Sequence, residues 1–155
     1  SAQKTRIDEL IWQITPQLTQ RYPNSKVHVD VNINADDESL LFVKTDRTQL
    51  LMVLFNLMEN AVKYSHGNTV DIQLYKQQGK LNLMIKDTGI GIPADKLKYI
   101  SQPFYRADNA YKDEGSGVGL SIALRILDKN KIAYTIKSEL NVGTEVILTF
   151  EPSKV

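Results

Sequence analysis

There is no cysteine anywhere in this chain. Disulfides, thiolate catalysis and structural Cys-zinc sites are therefore excluded, and a reducing compartment is compatible with the composition. Charge of one sign is also lacking. The 19 basic and 18 acidic residues leave a net charge of +1, which gives no reason to expect nucleic acid or an anionic membrane as partner. No apolar run approaches the roughly 18–20 residues that span a bilayer, and no signal-peptide pattern opens the chain. Internal repeats, low-complexity tracts and long linkers are missing too. What is present is 155 residues, 42% hydrophobic and 24% charged. That is the composition of one soluble globular domain, taken as residues 1–155, large enough to bury its own core.

Periodicity sets out the elements. Ile7, Leu10, Ile11, Ile14 and Leu18 recur at helical spacing, with Pro16 inside the pattern and expected to kink or interrupt it. Val27, Val29, Val31 and Ile33 alternate with polar residues as a half-buried strand does. Leu40 to Lys44 reads as a short second strand. Asp46 followed by Gln49 reads as an N-cap with its capping-box partner, opening a helix that runs to about Tyr64. Gly67-Asn68 marks a turn. Strands over about Val70–Lys76 and Lys80–Asp87 form a hairpin through Gln77-Gln78-Gly79. A short helix is expected near Ala94–Ile100 and another over Val118–Asn130. Strands Ala133–Ser138 and Glu145–Phe150 flank a turn at Asn141–Gly143. Helices and strands do not alternate strictly. The pattern predicts an α+β two-layer sandwich: a mixed, mostly antiparallel sheet with helices on one face. The 25–30 residues with little regular signal before Val118 suggest a functional loop, because structureless loops beyond about 15 residues are uncommon.

The helix ending at Tyr64 carries a polar stripe. At about 100° per residue from Asn56, Asn60 falls at about 40°, Lys63 at about −20°, Tyr64 at about 80° and Glu59 at about −60°, opposite Leu50, Leu54, Leu57, Met58 and Ala61. A solvated face is one reading. Asparagine is a poor mid-helix residue, however, because its side chain competes for the backbone. Amide oxygens suit a hard cation such as magnesium, and a lysine one turn on is placed to hold phosphates that the cation bridges.

Two glycine-rich segments follow. Asp87-Thr88-Gly89-Ile90-Gly91-Ile92-Pro93 stands directly after the apolar strand Leu81–Ile85. A carboxylate at a strand end can accept from an exocyclic amine such as adenine's, and the glycines let backbone approach a flat base closely. A simple turn after a strand is the alternative. Asp-Thr-Gly is also the catalytic turn of aspartic proteases, but it occurs once here, so a protease would have to be a homodimer. Gly115-Ser116-Gly117-Val118-Gly119-Leu120 opens the last helix, where free amides and the positive helix end favour phosphate. It does not follow a strand and lacks the Lys-Ser or Lys-Thr of a P-loop, so the dinucleotide fingerprint and Walker patterns are both excluded.

In combination and order these segments resemble the four boxes of the sensor histidine kinase ATP-binding domain. That domain has the Bergerat fold, shared with DNA gyrase, the mismatch-repair ATPases and an ATP-dependent chaperone. Asn56-Leu-Met-Glu-Asn60-Ala-Val-Lys63-Tyr64 is similar to the N box and Asp87-Thr-Gly89-Ile-Gly91 to the first G box. Pro103-Phe104-Tyr105-Arg106 is similar to the F box, Gly115–Leu120 to the second G box, and Gly143-Thr144 to the final strand turn. The resemblance implies that ATP and Mg²⁺ bind here. Asn60 would ligate the metal with Asn56 beside it, Lys63 would reach a phosphate, and Tyr64 would lie against the adenine. Asp87 would accept from the adenine amine, with Thr144 supporting it through water and Gly89, Gly91 and Ile92 forming the loop beneath. Residues of about 101–117 would be the ATP lid, with Phe104, Tyr105 and Arg106 at one end, Arg106 directed at the γ-phosphate. Gly115, Ser116, Gly117, Val118, Gly119 and Leu120 would bring hinge and amides to the phosphates.

One position separates branches of that superfamily. Its ATPases carry a glutamate, the general base for water, four residues before the metal-binding asparagine. Here Asn56 stands there, and an amide cannot take a proton. That favours a kinase. Glu59, on the flank of the stripe, is either an assisting carboxylate or an ordinary acidic surface residue. The kinase acceptor is a histidine on a helical dimerisation domain, and neither His28 nor His66 has that context, so the chain is expected not to phosphorylate itself. The resemblance further implies a response regulator as partner of the full-length kinase, and a cytoplasmic place within a membrane-anchored receptor. Asn130-Lys131 departs from the glycine pair frequent after the last helix. An anti-sigma-type protein kinase and a nucleotide-gated interaction module are alternatives on the same fold.

Overall fold

The computed structural model describes residues 2–100 and 118–153. Strand β1 (Ala2–Arg6) leads into helix α1 (Ile7–Arg21), followed by β2 (Lys26–Asn32), a 3-10 turn over Ala35–Leu41, β3 (Phe42–Asp46) and helix α2 (Arg47–Tyr64). The hairpin of β4 (Thr69–Gln77) and β5 (Lys80–Asp87) comes next, then α3 (Ala94–Ile100) and α4 (Val118–Lys129), and finally β6 (Ala133–Glu139) and β7 (Gly143–Phe150). Five strands form one sheet in the order β2-β4-β5-β7-β6, and β1 and β3 pair separately. Only β2–β4 is parallel, and the other pairs are antiparallel. The sheet is therefore mixed and mostly antiparallel, as the sequence predicts.

Alternation decides which face is covered. Val70, Ile72 and Leu74 of β4, Leu81, Leu83 and Ile85 of β5, and Val146, Leu148 and Phe150 of β7 are all buried. Leu50, Val53, Leu54, Leu57, Met58 and Ala61 of α2 share that core with Leu120, Ala123, Leu124 and Leu127 of α4, as do all five apolar positions picked out in α1. Each fully buried side chain of this kind contributes about 1.5–3 kcal/mol relative to exposure. The other face shows a cross-strand row of His28, Asp71, Lys86, Glu145 and Lys137. Its signs alternate from Asp71 to Lys137, so the row is compensated within itself and suits water. Among the described residues the helices accordingly lie on one face alone.

Two expectations need correction, and one strand had none. Helix α1 runs through Pro16 without a break. Pro16 lies on the exposed side, so the carbonyl it leaves without an amide partner faces solvent, and Thr15 Oγ1 donates to the Ile11 carbonyl at 2.8 Å one residue earlier. The strand expected over 40–44 begins at Phe42, because residues 35–41 wind into the 3-10 turn. Strand β1 was not expected. It has no alternation of its own and is held by pairing with β3, from Ala2 opposite Asp46 to Arg6 opposite Phe42.

Two local features follow the sequence closely. Asp46 caps α2 by accepting the Gln49 amide at 3.0 Å, which holds its carboxyl below the usual carboxylate range. Gln49 does not complete the box in return; its Oε1 accepts from Asn130 Nδ2 at 2.8 Å. The β4–β5 turn places Gln78 at φ 54° and Gly79 at φ 75°, the two positive angles of a type I′ hairpin. Among the described residues no helix is long and apolar enough to cross a membrane.

Candidate nucleotide site

The C-terminal half of α2, the end of β5 and the first turn of α4 meet around a cavity of about 140 Å³. Helix α2 contributes Leu57, Asn60, Ala61 and Tyr64, and β5 contributes Ile85 and Asp87. The loop after β5 adds Ile90, Gly91, Ile92 and Pro93, while Leu120 of α4 and Thr144 and Val146 of β7 close the wall. The lining is mostly apolar, with a few convergent polar groups, the usual make-up of a small-molecule site.

Among the described residues Asp87 is the only carboxylate in that lining, and it is 8% exposed. Burial pushes its carboxyl above the ordinary 3.8, opposed by the backbone N–H groups of Gly89 and Thr144. The Gly89 amide donates to Oδ1 at 2.9 Å. A carboxylate has about four lone-pair sites, so acceptor capacity remains for a ligand in the cavity. The helix-rich element order does not suit an aspartic protease built as a homodimer, and that reading is set aside.

Two glycines make the geometry possible. A Cβ on Gly89 would run into the backbone carbonyl of Tyr64, and one on Gly91, whose φ is 71°, would run into the carbonyl of Glu139. The loop after β5 is thereby pressed between the end of α2 and the β6–β7 turn. It is fixed there by Asn141 N donating to Ile90 O at 2.7 Å and Ile92 N donating to Ser138 Oγ at 2.7 Å.

The polar stripe of α2 is half-buried rather than fully solvated. Asn60 and Tyr64 line the cavity. The Tyr64 hydroxyl is buried and has no hydrogen-bond partner among the described residues. Lys63 Nζ lies 5.6 Å from the centre of the Tyr64 ring, within cation–π reach. Asn56 stands outside the lining and faces the first turn of α4, its Oδ1 3.9 Å from where a Gly119 Cβ would be. Glu59 is turned away from the cavity and bound elsewhere, accepting from Arg21 at 2.8 Å and from the Tyr22 hydroxyl at 3.2 Å.

Of the residues picked out from the sequence, Asn60, Tyr64, Asp87, Gly91, Ile92, Leu120 and Thr144 converge on the cavity. Gly89 sits beneath it, Val118 opens α4, and Asn56, Lys63 and Gly119 stand beside it. Phe104, Tyr105, Arg106, Gly115, Ser116 and Gly117 lie outside the described residues. Sequence reasoning missed Leu57, Ala61, Ile85 and Val146, whose place in the core pattern gives no sign that they also face a cavity. It missed Lys96 of α3 as well, which lines the rim and has no motif around it. Ser138 was read only as the end of a strand.

Fold and site together define an α+β domain with a ligand cleft between its helical layer and the end of its sheet. Residues 45–154 match the family described as histidine kinase-, DNA gyrase B-, and HSP90-like ATPase. The sensor histidine kinase YkoH of Bacillus subtilis is 38% identical over 123 residues, covering 78% of this chain and 27% of that protein. The adaptive-response sensory kinase SasA of a Nostoc species is 36% identical over 127 residues, covering 81% of this chain and 31% of that protein. Among solved structures, the mycobacterial sensor histidine kinase MprB superposes with a TM-score of 0.77 at 24% identity, covering 97% of each chain. The catalytic domain of histidine kinase ThkA superposes with a TM-score of 0.77 at 24% identity, covering 98% of this chain and 96% of that one. The chain belongs to this ATPase family and is the ATP-binding catalytic domain found in its sensor histidine kinases. It spans about a third or less of the curated relatives named here.

Proposed function

We propose that this domain binds Mg-ATP in the cavity at Asp87 and donates the γ-phosphoryl group to a histidine on a separate helical dimerisation domain. The observation that carries the reading is the buried Asp87 carboxylate at the wall of an apolar cavity, its charge opposed by burial and held by two backbone donors. An amine on a flat base complements it, and Tyr64, whose hydroxyl has no hydrogen-bond partner among the described residues, lines the same cavity.

The remaining roles are carried over from the resemblance. Asn60 would hold Mg²⁺ with Asn56 beside it, a donor set that fits a hard cation. When bound, the cation neutralises phosphate charge. Lys63 stands at the same end of α2 to meet the phosphates, and Arg106 is assigned to the γ-phosphate. Amides at the start of α4, with Gly119 in its first turn, favour anionic oxygens. Catalysis of this kind rests on positioning and charge neutralisation. The amide at Asn56 leaves water without a general base at that position. In the full-length protein the phosphohistidine would serve a response regulator, and this domain would sit on the cytoplasmic side of an anchored receptor.

Titration calorimetry with a non-hydrolysable ATP analogue, with and without Mg²⁺, tests the reading on the wild type and Asp87→Asn. Saturable binding that Asp87→Asn weakens about tenfold to a hundredfold is the expected outcome. A folded wild type that ignores millimolar nucleotide would overturn it.

A further inference from the structure

A second hollow adjoins Asn56 on the side away from the nucleotide cavity. Between α1 and α2 a groove of about 280 Å³ is lined by Ile14 and Gln17 of α1 and by Leu51, Met52, Phe55 and Asn56 of α2. Ile14 is buried in it, whereas Met52 is 49% exposed. Basic groups stand at both ends. Arg47, one turn before Leu51, is exposed and donates to Gln13 Oε1 at 3.2 Å. Arg21 lies over the Phe55 ring at 5.7 Å and pairs with Glu59.

Met52 is out of character with its place on the helix. At about 100° per residue it falls at about −40° from Asn56, between Lys63 and Glu59 on the polar stripe. It is not among the residues around the nucleotide cavity, so nucleotide binding does not account for it. Single exposed apolar residues are common, but one set in an apolar groove with a polar and basic rim has the make-up of a helix-in-groove docking site.

The place of the reaction says what covers the groove. In-line transfer brings the acceptor within about 3–3.5 Å of the γ-phosphorus, at the phosphate end proposed above. Of the flanks of Asn56, the first turn of α4 faces one and the nucleotide cavity at Asn60 adjoins another, which leaves the α1 side open among the described residues. Met52 lies one turn, about 6 Å, along α2 from Asn56, and a helix with its side chains is about 10–12 Å across. A helix that brings a histidine to the phosphates from the open side therefore lies over Met52.

We infer that the α1–α2 groove is the docking surface for the helix that bears the acceptor histidine, with Met52 as its apolar contact. The inference rests on the phosphotransfer reading above. The unbranched thioether side chain adapts to the side chains it meets. Exposed Arg47 suits an acidic residue at the matching end of the docking helix.

The chain's three methionines, Met52, Met58 and Met84, serve as probes. Met58 is buried in the core, and Met84 is half-buried on the sheet face opposite Leu83 and Ile85. Methyl NMR follows them as the helical dimerisation domain of the full-length kinase is titrated in, with a non-hydrolysable Mg-ATP analogue present. The Met52 methyl is expected to shift saturably while those of Met58 and Met84 hold. In phosphotransfer to the same domain, Met52→Glu is expected to raise KM for that domain at least about tenfold. Met52→Leu stays within about twofold of the wild type, and neither variant changes kcat or the Kd for nucleotide. Phosphotransfer with the Met52 methyl unmoved, a shift at Met84 in its place, or a wild-type KM in Met52→Glu would overturn the inference and leave the kinase reading standing. A Met52 shift that follows the concentration of this chain alone would overturn it in favour of a second copy. A wild type that transfers no phosphate to the dimerisation domain overturns both readings.

Discussion

Gly89 lies directly against the backbone carbonyl of Tyr64, where a Cβ would have to overlap the carbonyl oxygen. Tyr64 ends α2 and Gly89 follows β5, so this contact sets how closely the helix layer approaches the sheet at the cavity. The obstacle is backbone on both sides and no side-chain rotation relieves it. Gly89→Ala should therefore act as overpacking, costing about 1–3 kcal/mol of stability. Chemical denaturation measures that loss. Calorimetry on the folded fraction should show weakened nucleotide binding, because Asp87 Oδ1 is held by the Gly89 amide.

Asp87 should set a pH dependence of its own. Burial raises its carboxyl above 3.8 in the folded domain, against the Gly89 and Thr144 amides. The folded state therefore favours the protonated form. The stability this contributes is complete below pH 3.8 and is lost as pH rises through the raised folded value. At neutral pH the buried carboxylate is thus a cost to the empty domain. Asp87→Asn should raise the melting temperature of the nucleotide-free protein near pH 7 while weakening ATP about tenfold to a hundredfold, the worth of one charge-assisted bond. As pH falls into the titration of Asp87, wild-type affinity should drop. The same titration on Asp87→Asn should lack that component.

Local chemistry was legible in the sequence and long-range placement was not. Asp46 reads as a cap because its partner amide is three residues away. Gln49 was read the same way, but its side chain is taken by Asn130, 81 residues distant, which no local pattern announces. Strand β1 is invisible for the same reason, since only β3 makes it a strand. At the site, the N-box stripe and both glycine segments stood out because asparagine mid-helix and paired glycines break local rules. Ile85 and Val146 obey those rules as core residues and could not be told from the rest of the core, though they also wall the cavity. Ser138 is recognisable only from its place opposite Thr144 in the register.

Asn60 lines the cavity on α2, where its amide oxygen is the proposed metal ligand. Removing Mg²⁺ with a chelator should weaken ATP binding to the wild type. In Asn60→Ala the difference between Mg²⁺ and chelator should shrink to about twofold or less, since the cation loses its protein ligand. An undiminished Mg²⁺ effect would move the metal to other residues.

Glu59 stands on the N-box helix, but its carboxylate is held by Arg21 and Tyr22 at the end of α1. Arg21 is 61% exposed, so the pair is screened and is worth less than about 1 kcal/mol. In the complete kinase, Glu59→Gln should leave phosphotransfer unchanged and lower stability slightly. A large loss of phosphotransfer with unaltered ATP affinity would show that Glu59 leaves α1 and takes part in the reaction.

The acceptor is the last point at which chemistry and fold must agree. His28 is exposed on the outer face of the sheet, in the row with Asp71 and Lys86, and the helices and cavity are on the other side. His66 is exposed in the turn after α2, with φ 53°. In-line transfer needs the nucleophile within about 3–3.5 Å of the phosphorus, which His28, on the outer face of the sheet, cannot reach within one folded chain, and neither histidine stands on a helix of a dimerisation domain. The chain incubated alone with radiolabelled Mg-ATP should therefore take up no acid-labile phosphate. Addition of the helical dimerisation domain should give label on that domain only, unchanged when His28 and His66 are both replaced by alanine. Label on the isolated chain that disappears with either histidine would place the acceptor inside this domain and refute a separate one.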